Sequence, residues 1–280
     1  MIKHILLLVI FLFNLSMDYP RQISIMTYNI RFDNPNDEQN TWESRKDLLV
    51  DQLRFHEPSI IGTQEGLLHQ IQYIDNKLND YHYFGVGRDN GKEEGEFSAV
   101  FYDSTEYHLL RDSTFWLSET PGEPSVGWDA ALERICTWGL FEHKATSEKF
   151  WVFNTHLDHV GKIARQNSVR LIMEKINILN DSEFPVILMG DFNLEPESQP
   201  IQELNKEFHD SKKHSKIVSF GPEGTYNGFD YNEDVSRRID YIFVSPDVKV
   251  MKYGVLSDAI EGKYPSDHFP VYVTIQLFED

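Results

Sequence analysis

From Gln22 to Asn29 the chain alternates, with Ile23, Ile25 and Thr27 on one face, a period of two that predicts a β-strand. The next pattern is helical. Leu48, Leu49, Gln52 and Leu53 mark one face of Trp42–Phe55, Asn40 and Thr41 are cap candidates, and Pro58 ends the run. Ser59–Thr63 reads as a short buried strand, and Leu67, Leu68, Ile71, Ile74 and Leu78 form the stripe of a second helix. Further strands are predicted at Phe97–Tyr102, Thr137–Glu142, Phe150–Thr155, Val186–Met189, Ile239–Val244 and Val271–Gln276, with a third helix at Arg165–Leu179. Arg88–Glu96 and Ser118–Asp129 read as long surface loops. Early strand–helix alternation gives way to adjacent strands, which predicts mixed sheets covered by helices rather than a purely parallel, doubly wound sheet. No fixed-period repeat and no Pro/Ser-rich linker interrupts residues 22–280, which read as one domain.

The N-terminal pattern is different. Lys3 and His4 precede nine apolar residues, Ile5–Phe13, too few to span about 30 Å of hydrocarbon. Met1–Met17 therefore reads as a secretory signal peptide with Ser16 the last residue removed, and export to the periplasm, the cell surface or the medium is expected. The 280-residue chain is 40% hydrophobic and 13% aromatic, enough for a sizeable core, so disordered and collagenous classes are excluded. Its formal charge of −19 disfavours binding driven by attraction to a nucleic-acid backbone. One cysteine, Cys136, excludes a disulfide framework and multi-Cys metal sites.

Polar residues gather where strands end. The first strand ends Thr27-Tyr28-Asn29 and the second runs into Thr63-Gln64-Glu65; later ones meet Asn154-Thr155-His156, Gly190-Asp191-Phe192-Asn193, Arg238-Ile239-Asp240 and Ser266-Asp267-His268. In layered α/β proteins these are the positions where a rigid scaffold holds binding groups. Hard oxygen ligands without thiolates select Mg²⁺ or Mn²⁺, and a bound cation would let so acidic a protein admit a phosphate. Each piece alone has a plainer reading: Asp191 and Asn193 fit an Asx-turn, and His156 fits a hydrogen-bonded strand end. Glu65 and Asp240 resist such readings, because an unpaired carboxylate in or beside a buried strand is costly.

In order, Tyr28-Asn29-Ile30, Gln64-Glu65, Asn154-Thr155-His156-Leu157, Gly190-Asp191-Phe192-Asn193, Arg238-Ile239-Asp240-Tyr241-Ile242 and Ser266-Asp267-His268 resemble the endonuclease/exonuclease/phosphatase superfamily, over Ile23 to Ile275. Gly85-Val86-Gly87-Arg88 and Pro265-Ser266-Asp267-His268 resemble its exported bacterial branch. The resemblance implies a four-layer αββα sandwich of two mixed β-sheets, as in deoxyribonuclease, and hydrolysis of phosphate esters with a divalent metal. It also implies residue roles. Glu65 would be the principal metal ligand with Asn29 and Asp267 beside it, and Asp240 would orient His268 as general base or phosphate ligand. Asp191 would orient the attacking water or take its proton, Asn193 would donate to the phosphate, and His156, supported by Glu96, would bond another phosphate oxygen.

Weaker candidates are Asp158, His159 and Arg165 at the pocket, Arg134 near phosphate, and Trp116, Trp128 and Trp138 for stacking a sugar or base. Arg31 stands where apurinic-type repair members carry an acid, which weakens the repair reading, and no basic groove suits duplex DNA. The expectation is therefore an exported Mg²⁺- or Mn²⁺-dependent phosphoesterase, a phosphodiesterase first. A 3′–5′ ribonuclease of the deadenylase type acting on single-stranded RNA, a phospholipid or sugar-phosphate phosphodiesterase, and a non-catalytic binding module are the alternatives. No transmembrane segment and no protein partner is read from the sequence.

Overall fold

The computed structural model describes residues 22–277, so the segment read as a signal peptide lies outside the described residues. One six-stranded sheet contains β1 (Ile23–Asn29), β2 (Ile60–Gln64), β3 (Tyr81–Phe84), β4 (Val100–Asp103), β11 (Lys249–Val255) and β12 (Val271–Gln276), in the order β11-β12-β1-β2-β4-β3. The other contains β5 (Tyr107–Trp116), β6 (Ile135–His143), β7 (Lys149–His156), β8 (Val186–Asp191), β9 (His209–Asp210) and β10 (Asp240–Val244), in the order β5-β6-β7-β8-β10-β9. Each sheet has one parallel pair, β1 with β2 and β7 with β8, and its other pairs are antiparallel.

Three apolar clusters separate four layers. Ile23, Ile25 and Ile60 of the first sheet meet Val152, Ile187 and Met189 of the second in the central cluster. Met26, Tyr28 and Ile61 on the first sheet's outer face pack under α1 (Trp42–His56) and α2 (Leu68–Lys77) through Leu49, Leu53, Ile71 and Ile74. Trp151, Phe153 and Leu188 pack under α3 (Lys162–Leu179) and α4 (Gln199–Glu207) through Val169, Ile172, Ile201 and Leu204. This is the αββα sandwich expected from the sequence, and α5 (Ser211–His214) is a short addition after β9. Because β1 feeds residues of both parities into cores, its alternation marks which core, not core against solvent.

Gly62 lets the two sheets pack closely. A Cβ there would lie 2.5 Å from the Met189 methyl and 2.8 Å from the Asn154 side chain. Asn154 spends both its polar atoms across this interface, donating to the carbonyls of Thr63 and Ala99 and accepting from Gln64. At the site end, Arg45 of α1 is only 3% exposed and donates to the carbonyls of Ile30, Arg31 and Pro265 at 2.6–3.1 Å. It thereby ties the end of β1 to the turn that carries Asp267.

Several local expectations need correction. The strand expected at Phe97–Tyr102 starts only at Val100, because the Phe97 N–H donates to the Gly66 carbonyl and the chain crosses the sheet end there. Thr41 occupies the N-cap of α1 but makes no side-chain capping bond. Arg88–Glu96 is irregular as expected, yet it is not purely a surface loop: Arg88 is buried on a bidentate pair with Glu96.

Hydrogen bonds to charged groups contribute about 1.5–3 kcal/mol each, and emptying one side of a buried network costs more than the average bond. Arg45→Met is expected to lower the unfolding free energy by about 3 kcal/mol in urea titration; a loss below about 1 kcal/mol would contradict its role as a tie.

Candidate active site

The two parallel pairs bring their C-terminal ends to one edge of the sandwich. Asn29 closes β1 opposite Gln64, so Glu65 is the next residue out, while His156 and Asp191 end β7 and β8 in register and Asp240 opens β10 opposite Asp191. Asp267 and His268 precede β12, beside β1. All nine residues named from the sequence converge here. Glu65, Glu96, His156, Asp191, Asn193, Asp267 and His268 line a cavity of about 460 Å³, and Asn29 and Asp240 lie fully buried behind it. Local backbone is bent to suit. Glu65, Asn193 and Arg31 take left-handed φ values of 66°, 49° and 55°, and a Cβ at Gly190 would collide with the Thr155 carbonyl.

The polar contacts form a connected set. Asn29 donates at 3.0 Å to both Glu65 Oε1 and Asp191 Oδ2, while its own oxygen accepts the Arg31 N–H. In this arrangement the Asn29 amide braces two carboxylates. His268 Nδ1 pairs with Asp240 Oδ2 at 2.9 Å, and its Nε2 lies 3.8 Å from Asp191 Oδ2. His156 Nε2 reaches the same Asp191 oxygen at 3.6 Å, and its Nδ1 lies 3.8 Å from Glu96. The Asn193 backbone N–H donates to Asp191 Oδ1, and its amide reaches His156 Nε2 at 3.2 Å. Arg31, clamped by Asp37, stands 3.9 Å from Glu65 and 3.7 Å from Asp267.

Burial sets the acid–base character. It pushes the Asp191 carboxyl up to about 7, and the neighbouring Asp240 charge adds to the effect. It raises Glu96 to about 7 despite Arg88, and raises Asp267, which also faces Glu65. The histidines separate. Burial, then the Arg134 and Arg88 charges, hold His156 well below the usual imidazole range. Burial also acts against a charged His268, but Asp240, Asp191 and Asp267 outweigh it and hold that ring well above the range.

This surplus of buried acid with oxygen donors fits a hard divalent cation. Asp240 Oδ1 is buried without a hydrogen-bond partner, and carboxylates that resist ionising are those a cation would relieve. Two groups compete for it. Asp191, Asp240 and His268 place ligand atoms within 4.8 Å of one another. There His268 Nδ1 is already paired with Asp240 Oδ2, whereas Glu65 and Asp267 both lie within 4 Å of the Arg31 guanidinium, with the His268 and Arg45 charges also acting on Asp267.

The weaker candidates separate too. Arg134 and His159 line the cavity. Asp158 is buried and accepts three backbone N–H groups, from Ala131, Val160 and Gly161, as a loop anchor, and Arg165 bonds its carbonyl. Trp138 packs on Trp151, Trp116 donates to the Arg88 carbonyl, and none of the three tryptophans lines the cavity. Sequence reading missed Phe32, Leu132, Tyr226, Arg237 and Ile239 in the lining. The signal available for Tyr226 was Thr225-Tyr226-Asn227-Gly228, a turn sequence that leads into the site.

The sequence matches the Endonuclease/Exonuclease/phosphatase family across residues 26–268, a span that holds every candidate residue. The chain belongs to this family. A crystallised endonuclease/exonuclease/phosphatase family protein of Bacteroides thetaiotaomicron is 41% identical, with TM-score 0.89, over 94% of this chain and all of that one. A mannosyl-6-phosphatase of the same species is also 41% identical, with TM-score 0.87, over 90% of this chain and 99% of its own. The 3′–5′-exoribonuclease subunit of the CCR4-Not complex of Coccidioides immitis is 28% identical over 49% of this chain and 21% of its length.

A carboxyl whose pKa is raised on folding stabilises the native state at low pH and loses that contribution as pH rises through its folded value. For Asp191 that value is about 7. In EDTA, the melting temperature of the wild type is expected to drop more between pH 6 and 8 than that of Asp191→Asn. Equal drops would contradict a buried Asp191 whose carboxyl is raised on folding.

Proposed function

We propose that the chain is a divalent-metal-dependent phosphohydrolase that attacks a small phosphate monoester with water. The observation that carries this reading is one cavity that gathers the carboxylates of Glu65, Asp191 and Asp267 with Arg134 and His268, Asp191 lying between the imidazoles of His156 and His268. A Mg²⁺ or Mn²⁺ held by Glu65 and Asp267 would draw charge from a phosphoryl oxygen and from the leaving oxygen.

The chain's own residues do the rest. Asp191 orients the water and takes its proton. His268, kept as an imidazolium by Asp240, donates from Nε2 to a phosphoryl oxygen. His156 and Asn193, 3.2 Å apart, hold a second oxygen. Arg134 keeps one buried guanidinium nitrogen without a partner, which suits it to a charged phosphate. No covalent intermediate is needed, and the products are inorganic phosphate and an alcohol.

The mannosyl-6-phosphatase, 41% identical over nearly its whole length, supports a monoester ahead of the diester expected from the sequence. Diester or RNA cleavage is the second reading, favoured by the exoribonuclease relative, which matches half of the chain. The formal charge of −19 works against the RNA arm. Export remains part of the proposal on the strength of the Ile5–Phe13 run. Among the described residues no helix is long and apolar enough to cross a membrane.

The test is hydrolysis of p-nitrophenyl phosphate and bis(p-nitrophenyl) phosphate with Mg²⁺, Mn²⁺ or EDTA. Metal-dependent release favouring the monoester is expected, and His156→Ala and His268→Ala should each lower turnover about a hundredfold or more. Full rate in both folded variants would overturn the site; preference for the diester would restore the second reading.

A further inference from the structure

Arg31 lines the cavity beside Glu65 and Asp267, and its backbone is fixed on both sides. In its left-handed conformation (φ 55°) it donates its N–H to Asn29 Oδ1, and its carbonyl accepts from Arg45 and Gln70 at 2.6 and 3.0 Å. The side chain is fixed as well. Nε and Nη2 each donate to the Asp37 carboxylate at 2.8 Å, and the Asn34 amide holds that carboxylate from another side. What the guanidinium offers Glu65 and Asp267 is therefore charge, at 3.9 and 3.7 Å, beyond hydrogen-bond distance.

The clamp leaves ligand oxygens open. Glu65 takes neutral donors, the Asn29 amide on Oε1 and the Phe32 N–H on Oε2, and an oxygen that accepts one hydrogen bond keeps a lone pair for a hard ion. The charges of His268 and Arg45 also act on Asp267. Both are engaged elsewhere, His268 with Asp240 and Arg45 with the carbonyls of Ile30, Arg31 and Pro265. Among the described residues, Arg31 is the cation in ion-pair range of both Glu65 and Asp267.

We infer that Arg31 is a fixed counter-charge of the cation site: it weakens capture of the divalent ion and keeps the occupied site positive toward the phosphate. The inference rests on the phosphohydrolase reading and adds to it what regulates the affinity for the ion. Glu65, Asp267 and Arg31 sum to one negative charge, which a divalent ion turns into one positive charge. Without the guanidinium the two carboxylates would neutralise the same ion and leave no net charge to attract a phosphate. Arg31 acts through charge alone; it is a ligand of neither the ion nor the phosphate, because Asp37 holds its fork.

The experiment is calorimetric titration of Mn²⁺ into the metal-free protein, then of inorganic phosphate into the Mn²⁺-saturated protein, for the wild type, Arg31→Met and Asp37→Ala. Arg31→Met is expected to bind Mn²⁺ about tenfold more tightly and phosphate about tenfold more weakly. These opposite signs separate a lost charge from a damaged site, which would weaken both. Asp37→Ala frees the guanidinium to pair directly with Glu65 and Asp267, so its Mn²⁺ affinity should fall about tenfold. A folded Arg31→Met that binds Mn²⁺ no more tightly, or shifts both ligands in the same direction, would overturn the inference. Unchanged Mn²⁺ affinity in Asp37→Ala would overturn it too, whether or not Arg31→Met folds. A wild type that binds no Mn²⁺ would instead overturn the metal-dependent reading on which the inference rests.

Discussion

The site depends on a surplus of negative charge that the fold gathers and cannot dilute with water. Asp191, Asp240 and Asp267 are nearly inaccessible and Glu65 stands beside them, because the strand ends that carry them meet at one edge of two packed sheets. Their repulsion is held by other parts of the chain. Asn29 braces Glu65 and Asp191 with one amide, Arg31 stands between Glu65 and Asp267, and Arg45 binds the carbonyls of the segments on which these groups ride. Backbone strain joins the same account: left-handed conformations at Arg31, Glu65 and Asn193 cost of order 1–3 kcal/mol each and persist only where packing over-determines them.

The same field gives two identical side chains different tasks. His268 and His156 both lie within 4 Å of one Asp191 oxygen. His268 has Asp240 at its back and stays charged, whereas His156 has Arg88 and Arg134 among its neighbours and stays neutral. Two imidazoles of opposite protonation around one carboxylate can bind a phosphoryl oxygen and leave the carboxylate free for the water. The Arg88–Glu96 pair connects this division to a loop outside the sheets.

How much of this was legible follows from the kind of residue. Core strands such as β1, β7 and β8 announce themselves by uninterrupted or alternating apolar residues, and their polar last residues stand out against that background. The edge strands β5 and β11 were not legible. Tyr107–Trp116 carries exposed His108, Arg111 and Asp112, and Lys249–Val255 carries exposed Lys252, since an edge faces solvent and charge there prevents further pairing. The nine site residues were readable because they form an ordered series, not because any one of them declares its role. Tyr226 and Arg237 were unreadable for the opposite reason: they sit in a turn-rich stretch whose position beside His268 is set by hydrogen bonds to Asp267 from far along the chain. Asp158 misleads in sequence because a carboxylate beside two histidines looks like chemistry, while three backbone N–H groups make it a loop anchor.

On the proposed function the buried acid is divided, with Glu65 and Asp267 placed to hold a divalent cation and Asp240 paired with His268. The most direct measurement is anomalous diffraction from crystals grown with Mn²⁺, which locates the ion without reference to turnover. The expected result is one strong peak within ligand distance of carboxylate oxygens of Glu65 and Asp267, with the His268–Asp240 hydrogen bond intact. A peak coordinated instead by Asp191, Asp240 and His268, with that hydrogen bond broken, would contradict the account.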